Sequence, residues 1–289
     1  MKTQQPIDLV IAYVNNKDQV WRDAFVKYCQ KNNAREKIVE MLGSRYGGIN
    51  FLYYHLKLAN KNMPWINNIY LLLSNEEQVI PSTLPPNVKI VLHKDFIWRE
   101  YLPTFNSCTI EMFLWNIPNL SEHFIYANDD MLPTKPMQPS DFFDFESDKI
   151  KIKWREDEYN RCGNMYVQQC NNNCVALYKA FNKKYDNIMV RPVHSYTPMI
   201  KSHCKSAFCI ICKSILEHIR GFRTEYQYNQ YIYPIYEKLK YGTLDSPIDF
   251  LYTELDNDFD LDHQICCINC EKKKDYVNQF ITEIKKLCE

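Results

Sequence analysis

Ile7-Asp8-Leu9-Val10-Ile11-Ala12-Tyr13-Val14 decides the fold. The run is apolar, rich in β-branched and aromatic residues, and stops at the turn-forming Asn15-Asn16-Lys17-Asp18, so it reads as a buried first strand. Outward from it, helical spacing covers Trp21 to about Cys29 and Asn50 to about Asn60. In the second of these Phe51, Leu52, His55, Leu56 and Ala59 share a face, and Pro64 closes the run. Ile69-Tyr70-Leu71-Leu72-Leu73 and Val88-Lys89-Ile90-Val91-Leu92 read as further buried strands on either side of a Pro81 to Pro86 turn region. Thr109 to Trp115 reads as a helix, and Phe124-Ile125-Tyr126-Ala127 as a strand ending in Asn128-Asp129-Asp130. Strands alternating with helices predict an α/β layer with a mostly parallel sheet. The ligand site of such a sheet lies beyond the carboxyl ends of its strands. Asn15 to Asp18, Ser74-Asn75 and Asn128-Asp129-Asp130 all fall there. Any one of them could simply end a strand; three in that position are the pattern of a catalytic edge.

Beyond Pro133, Pro136 and Pro139 the pattern changes. Lys149-Ile150-Lys151-Ile152-Lys153-Trp154-Arg155 alternates with period two, placing the basic side chains on one face of a strand and Ile150, Ile152 and Trp154 on the other. The basic face is either a solvated, protected edge or a surface for a polyanion. The tail carries an acidic stretch, a cysteine cluster and a final amphipathic helix with Tyr276, Phe280, Ile284 and Leu287 on one stripe. That helix, with Lys272 to Lys274 before it, packs on the body or touches a membrane surface.

Composition narrows the chemistry. The chain has 289 residues, enough for one large domain or two small ones, and Lys+Arg and Asp+Glu balance at 35 each. Zero net charge argues against nucleic acid as a bulk electrostatic partner. Average usage would give roughly 20 glycines, but there are only 6. They spell neither a dinucleotide-binding fingerprint nor a P-loop, so any phosphate must be held by a metal, by cationic side chains or by helix ends. The start, Met1 to Pro6, has no apolar signal core and no run is long enough to span a bilayer, which predicts a cytoplasmic chain, peripheral at most to the inner membrane face. The 12 cysteines are then expected as reduced thiols.

Adjacent carboxylates at a strand end suit Mg²⁺ or Mn²⁺, hard ions usually shared with substrate phosphates, and Glu111 on the preceding helix could add a third acid. Asp256-Asn257-Asp258-Phe259-Asp260-Leu261-Asp262 lacks the glycine and glutamate of an EF-hand loop and reads as a solvated acidic loop. Cys209-x-x-Cys212 and Cys267-x-x-Cys270 could hold structural Zn²⁺, although their separation is long for a compact zinc site. His194 follows an extended segment, and flanking cations at Arg191 and Lys201 would make an anionic pocket there.

The order of these segments resembles the Stealth family of hexose-1-phosphate transferases. The resemblance rests on Ile7 to Asp18 with Trp21, then Arg45, Pro64 to Tyr70, Leu102 to Ser107 with Ile110-Glu111, and Phe124 to Met131. Val193-His194 with Pro198-Met199-Ile200, and Phe222-Arg223 followed by an aromatic helix from Tyr226 to Tyr236, complete it over roughly residues 7–240. Departures are Asn16 where the family usually has glycine, Gly47 to Asn50 where it has acidic residues, and a longer gap after His194. The resemblance implies a Rossmann-like or GT-A-like nucleotide-sugar transferase core with helical additions. The catalytic unit would cover residues 1–243, with core 7–131, an insertion over about 133–190 and a completing segment 191–243; residues 244–289 would form a tail.

The same resemblance implies transfer of hexose-1-phosphate or N-acetylhexosamine-1-phosphate from a UDP-sugar to a carbohydrate hydroxyl in capsule or surface polysaccharide synthesis. The products would be a phosphodiester and UMP. Asp129 and Asp130 would hold Mg²⁺ or Mn²⁺, with Arg223 and Arg45 on phosphate. His194 would be the base or hydrogen-bond donor, and Glu111 an alternative base or an organising group. Asn15, Asp18 and Trp21 would line the nucleotide or sugar pocket, with Asn106 and Asn128 assisting. The rival readings are a metal-dependent glycosyltransferase releasing UDP and a non-catalytic zinc-binding interaction protein.

Overall fold

The computed structural model describes residues 5–41, 51–78, 80–160, 164–253, 260–268 and 274–288. β1 (Ile7–Ala12) leads through α1 (Gln19–Lys31) and α2 (Leu52–Asn62) to β2 (Ile69–Leu73) and β3 (Val88–Leu92). After α3 (Ser107–Glu111) come β4 (His123–Asn128) and β5 (Met131–Pro133), then β6 (Trp154–Glu158), α4 (Met165–Ala180), β7 (Ile188–Pro192) and β8 (Thr197–Ile200). α5 (Lys201–Ile210), α6 (Ile232–Lys240), β9 (Phe250–Thr253), β10 (Ile265–Ile268) and α7 (Lys274–Cys288) follow. The central sheet runs β8-β4-β1-β2-β3, parallel throughout except for β8. This is the mostly parallel α/β core with helical additions that the sequence predicts.

β1 occupies the middle because it is buried on both faces: Leu9, Val10 and Ile11 have no exposed surface. Asp8 interrupts its apolar run for a structural reason. Its fully buried carboxylate accepts from Asn68 N at 3.0 Å, Asn67 Nδ2 at 2.9 Å and Ser121 N at 2.7 Å, which ties the amino ends of β2 and β4 to β1. Asp18 caps α1 by accepting from Val20 N at 3.0 Å. One core layer lies between the sheet and α4, α5 and α6 and includes Phe124, Tyr126, Phe208 and Tyr231; the other covers the opposite face with α2 and includes Leu52, Leu56, Ile125 and Tyr196.

Four expectations shift. β3 is an edge strand rather than a buried one, with Ile90 48% exposed, because no strand among the described residues pairs on its far side. The Thr109–Trp115 helix begins at the Asn106 cap and ends at Glu111, with a 3₁₀ turn at Leu114–Asn116. The strand expected over Lys149–Arg155 changes partners midway: Ile152 N bonds Leu244 O at 2.9 Å while Val193 N bonds Lys153 O at 3.0 Å, so it breaks into Lys149–Ile150 and β6. Ile150 and Ile152 are nevertheless buried, as the alternation requires. The aromatic helix starts at Ile232, not near Tyr226, because side chains of α4 have claimed the backbone before it. Gln169 Nε2 donates to Thr224 O at 2.7 Å, and Asn172 Nδ2 donates to Glu225 O at 2.8 Å and Gln227 O at 3.1 Å.

The chain after residue 244 adds to this body. β10 pairs antiparallel with β5 and parallel with β9, and α7 places Phe280 and Ile284 against Phe51 and Leu58. Among the described residues no helix is long and apolar enough to cross a membrane.

Candidate active site

The chain leaves β1 toward β2 and β3 on one side and returns to β4 on the other, so the strand order reverses between β1 and β4, the position where an open α/β sheet offers a crevice. Ala12 and Asn128 are register partners at that edge. Asn15 stands just beyond β1, its side chain turned back to Tyr13 Oη at 3.2 Å and accepting from Lys17 N at 3.0 Å. Asp129 and Asp130 follow Asn128. Both keep some surface at the edge while the fold closes around most of each side chain. Burial, and for Asp129 the neighbouring Asp130 charge, push both carboxyls well above the usual carboxylate range. Asp130 Oδ1 is buried without a hydrogen-bond partner. Two crowded carboxylates, one with an orphaned oxygen, fit a hard divalent cation, whose charge would relieve both defects. Among the described residues no group of three or more His, Cys, Asp or Glu side chains converges there.

A second acidic centre lies beside the first and is fully furnished. Glu111, 3% exposed at the end of α3, accepts from Gln230 N at 2.9 Å and from Tyr126 Oη at 3.5 Å. The Gln230 amide, oriented to suit the carboxylate, adds a donor 2.7 Å from Oε2. Burial raises the Glu111 pKa, against the Arg223 charge and these hydrogen bonds. Arg223 Nη2 donates to Ser107 Oγ, and Ser107 also bonds Glu111. Arg223 is thus bonded to the start of α3 and lies within reach of the Glu111 charge at its end. Its loop is held by Asn106, whose Nδ2 reaches Arg220 O at 3.0 Å and Phe222 O at 3.1 Å, and by the α4 amides. Gly221 permits the close approach of α1 here, since a methyl group would overlap the Tyr28 hydroxyl and ring.

β8 delivers the third component. Because it runs antiparallel to β4 with Thr197 opposite Tyr126, the residues before it arrive at the carboxyl edge. His194 sits there with Nδ1 2.9 Å from Tyr231 Oη and its ring edge-on to Tyr166 and Tyr252. Burial, with the charges of Arg191 and Arg223, lowers its pKa to about 4, so the imidazole is neutral at neutral pH. Arg191 is anchored by Asp157, Nη2 to Oδ2 2.9 Å, and lies over the Tyr166 ring.

The structure therefore brings Asn15, Asn128, Asp129, Asp130, Glu111, His194 and Arg223 to one edge. Asp18 stands nearby, but its oxygens serve the α1 cap and Asn75 Nδ2 at 3.0 Å. Trp21 is 2% exposed and packs on Phe25 and Phe105, and Asn106 is buried under the Arg223 loop; both support the site from within. Lys201 does not join His194: it follows the far end of β8, where Ile200 pairs His123, and its amine donates to Ile117 O and Leu120 O. Arg45, Cys270 and residues 254–259 of the acidic tail lie outside the described residues. Cys209 is exposed on α5 and Cys267 buried in β10.

Sequence reasoning gave no role to Ser107, Tyr126, Gln230 or Tyr231, which position the acid, the arginine and the histidine. The one available signal was Gln168-Gln169-Cys170-Asn171-Asn172-Asn173, an amide run inside a helix. Such a run has a reason to be buried only when it binds backbone elsewhere.

A family model described as Stealth protein CR2, conserved region 2, matches residues 45–151. Capsular polysaccharide phosphotransferase LcbA of Neisseria meningitidis is 34% identical over 207 residues, covering 70% of this chain and 56% of that protein. Capsular polysaccharide phosphotransferase fcs1 of Haemophilus influenzae is 34% identical over 210 residues, with the same 70% and 56%. Capsular polysaccharide phosphotransferase cps1A of Actinobacillus pleuropneumoniae is 32% identical over 236 residues, 78% of this chain and 63% of that protein. The chain spans little more than half the length of the first of these relatives.

Proposed function

The chain belongs to the Stealth family, and from that footing we propose that it is a sugar-1-phosphate transferase of capsule polysaccharide synthesis. It moves hexose-1-phosphate or N-acetylhexosamine-1-phosphate from a UDP-sugar to a carbohydrate hydroxyl. The acceptor oxygen attacks the β-phosphorus, the bond to the UMP oxygen breaks, and a phosphodiester and UMP result. One observation carries this reading: a carboxylate pair, a fixed arginine and a neutral histidine meet at the switch point of the sheet.

Phosphoryl transfer demands positioning, charge neutralisation and one proton acceptor. Asp129 and Asp130 would hold Mg²⁺ or Mn²⁺, which would supply Lewis-acid neutralisation of the diphosphate. Arg223, bonded to Ser107 and facing the Glu111 charge, presents a planar fork to a phosphoryl oxygen. Glu111 acts through Arg223 as a positioning residue. With His194 Nδ1 engaged by Tyr231, Nε2 is left to accept the acceptor hydroxyl proton. A base held to about pKa 4, first by burial and then by the charges of Arg191 and Arg223, is weak; a bound diphosphate offsets the arginine part of that depression. Asn15 and Asn128 offer uncharged polar contacts to the nucleotide or sugar.

Incubation with a panel of UDP-sugars and a carbohydrate acceptor tests the reading. UMP release and a phosphodiester signal in phosphorus NMR are expected. UDP release with a glycosidic product would replace it with ordinary glycosyl transfer.

A further inference from the structure

His55 is a polar side chain at a position where packing alone asks for an apolar one. It lies on the inward face of α2 beside Leu52, Leu56 and Ala59 and has no exposed surface. Burial lowers its pKa to about 3, so the ring is neutral. A buried imidazole destabilises a core unless its nitrogens are used. The groups around this one belong to both halves of the candidate site.

On one side Nε2 stands 2.5 Å from Tyr196 Oη, and the two rings stack with their centres 5.8 Å apart. Tyr196 comes two residues after His194 and leads directly into β8. Burial raises the Tyr196 pKa, so its hydroxyl keeps a proton to donate to Nε2, and the ring proton of a neutral His55 then sits on Nδ1. Nδ1 closes no full hydrogen bond with protein, and the backbone carbonyl of Asp129 is the acceptor that helps to hold a proton on the ring.

The same helix grips the acidic segment a second time. Asn62 lies seven residues after His55, on the same face of α2, and its Nδ2 donates to Pro133 O at 2.7 Å. One rigid element thus runs beneath Asp129 to Pro133, with His55 under the acidic end.

We propose that His55 is a positioning residue that ties the Asp129–Asp130 turn, through Tyr196, to the segment carrying His194, and so fixes the cation site relative to the base. This rests on the transferase reading above, in which these groups act together.

The test follows Mn²⁺ binding to the full chain by calorimetry, without any sugar donor, beside melting temperature and UMP release. His55→Phe keeps the ring and the stacking but removes both nitrogens. It is expected to bind Mn²⁺ about tenfold more weakly at a near-native melting temperature. His55→Gln, which retains a donor and an acceptor, should recover most of that affinity. Tyr196→Phe removes only the hydroxyl; it should weaken Mn²⁺ binding less, and it carries the test if His55→Phe does not fold. A purely structural role would lower the melting temperature and leave Mn²⁺ affinity as it was. Unchanged affinity in folded His55→Phe, or in Tyr196→Phe where the former does not fold, overturns the proposal, as does a wild-type chain that binds no Mn²⁺. If the His55-dependent Mn²⁺ binding is present but no UDP-sugar yields UMP, the positioning role stands and the transferase reading falls.

Discussion

The two acidic centres within electrostatic reach of Tyr126 are built in opposite ways. Glu111 is surrounded by donors: the Gln230 backbone and amide, Ser107, Tyr126 and the Arg223 charge. The Asp129–Asp130 pair has a like charge for a neighbour and, at Asp130 Oδ1, no partner at all. A carboxylate with its contacts complete holds other protein groups in place. One left incomplete at a crevice holds energy that a ligand can release. On the proposed reading, the first centre is architecture for Arg223 and the second is a socket for a cation.

Breaking the socket should have the largest effect. Asp130→Asn is expected to lower UMP release about a thousandfold, the loss of the several kcal/mol a Lewis acid supplies. It should leave the melting temperature unchanged or raised, because a like-charge contact disappears. Full activity in this variant would remove the pair from the mechanism.

The furnished centre should respond the other way. Glu111→Ala is expected to destabilise the fold by about 3 kcal/mol, since buried donors and a charge lose their acceptor. Glu111→Gln should cost less and lower kcat more than it raises KM. Denaturant titration beside steady-state kinetics checks both; a melting temperature untouched by Glu111→Ala would erase the contrast.

His194 extends the comparison to pH. Its folded pKa, about 4, is below the ordinary 6.5, so the folded state binds fewer protons between those values. The stability it contributes is present above pH 6.5 and is lost as pH falls toward 4, by about 3 kcal/mol. His194→Gln should flatten that part of the stability profile. The smallest effect belongs to Gly221→Ala, which crowds Tyr28 and should cost about 1 kcal/mol while shifting Arg223. A lowered kcat with near-native melting temperature would show that the arginine's placement is what suffers.

Much of the fold was legible because buried parallel strands announce themselves. Ile7 to Val14, Ile69 to Leu73 and Phe124 to Ala127 are apolar on both faces and end in polar clusters. β3 misled because Ile90 gives an edge strand the composition of a central one. The acids, His194 and Arg223 could be named from sequence and the family resemblance, and the antiparallel run of β8 accounts for how His194 reaches the sheet edge that carries Asp129 and Asp130. What periodicity could not supply was the layer that positions them. Trp21 and Asn106 look like ligand contacts in sequence and are buried supports in space. Asn172, Asn173 and Gln169 look like a weak helix face and are the clamp on the Arg223 loop. Lys201 looks like a neighbour of His194, yet the intervening strand carries it to the opposite end of the sheet. Partnerships between distant residues leave no periodic trace.

Ile268 N donates to Asp130 O at 3.0 Å, so the backbone that carries the socket is braced by a strand from far later in the chain. On the ribosome, Asp129 and Asp130 emerge long before β10 does. The nascent chain can assemble β1 to β4 early, but it finishes its reactive edge only when β10 has been synthesised and added. On the proposed reading, competence therefore waits for β10, and a chain interrupted before it would carry the acids without the brace that sets them.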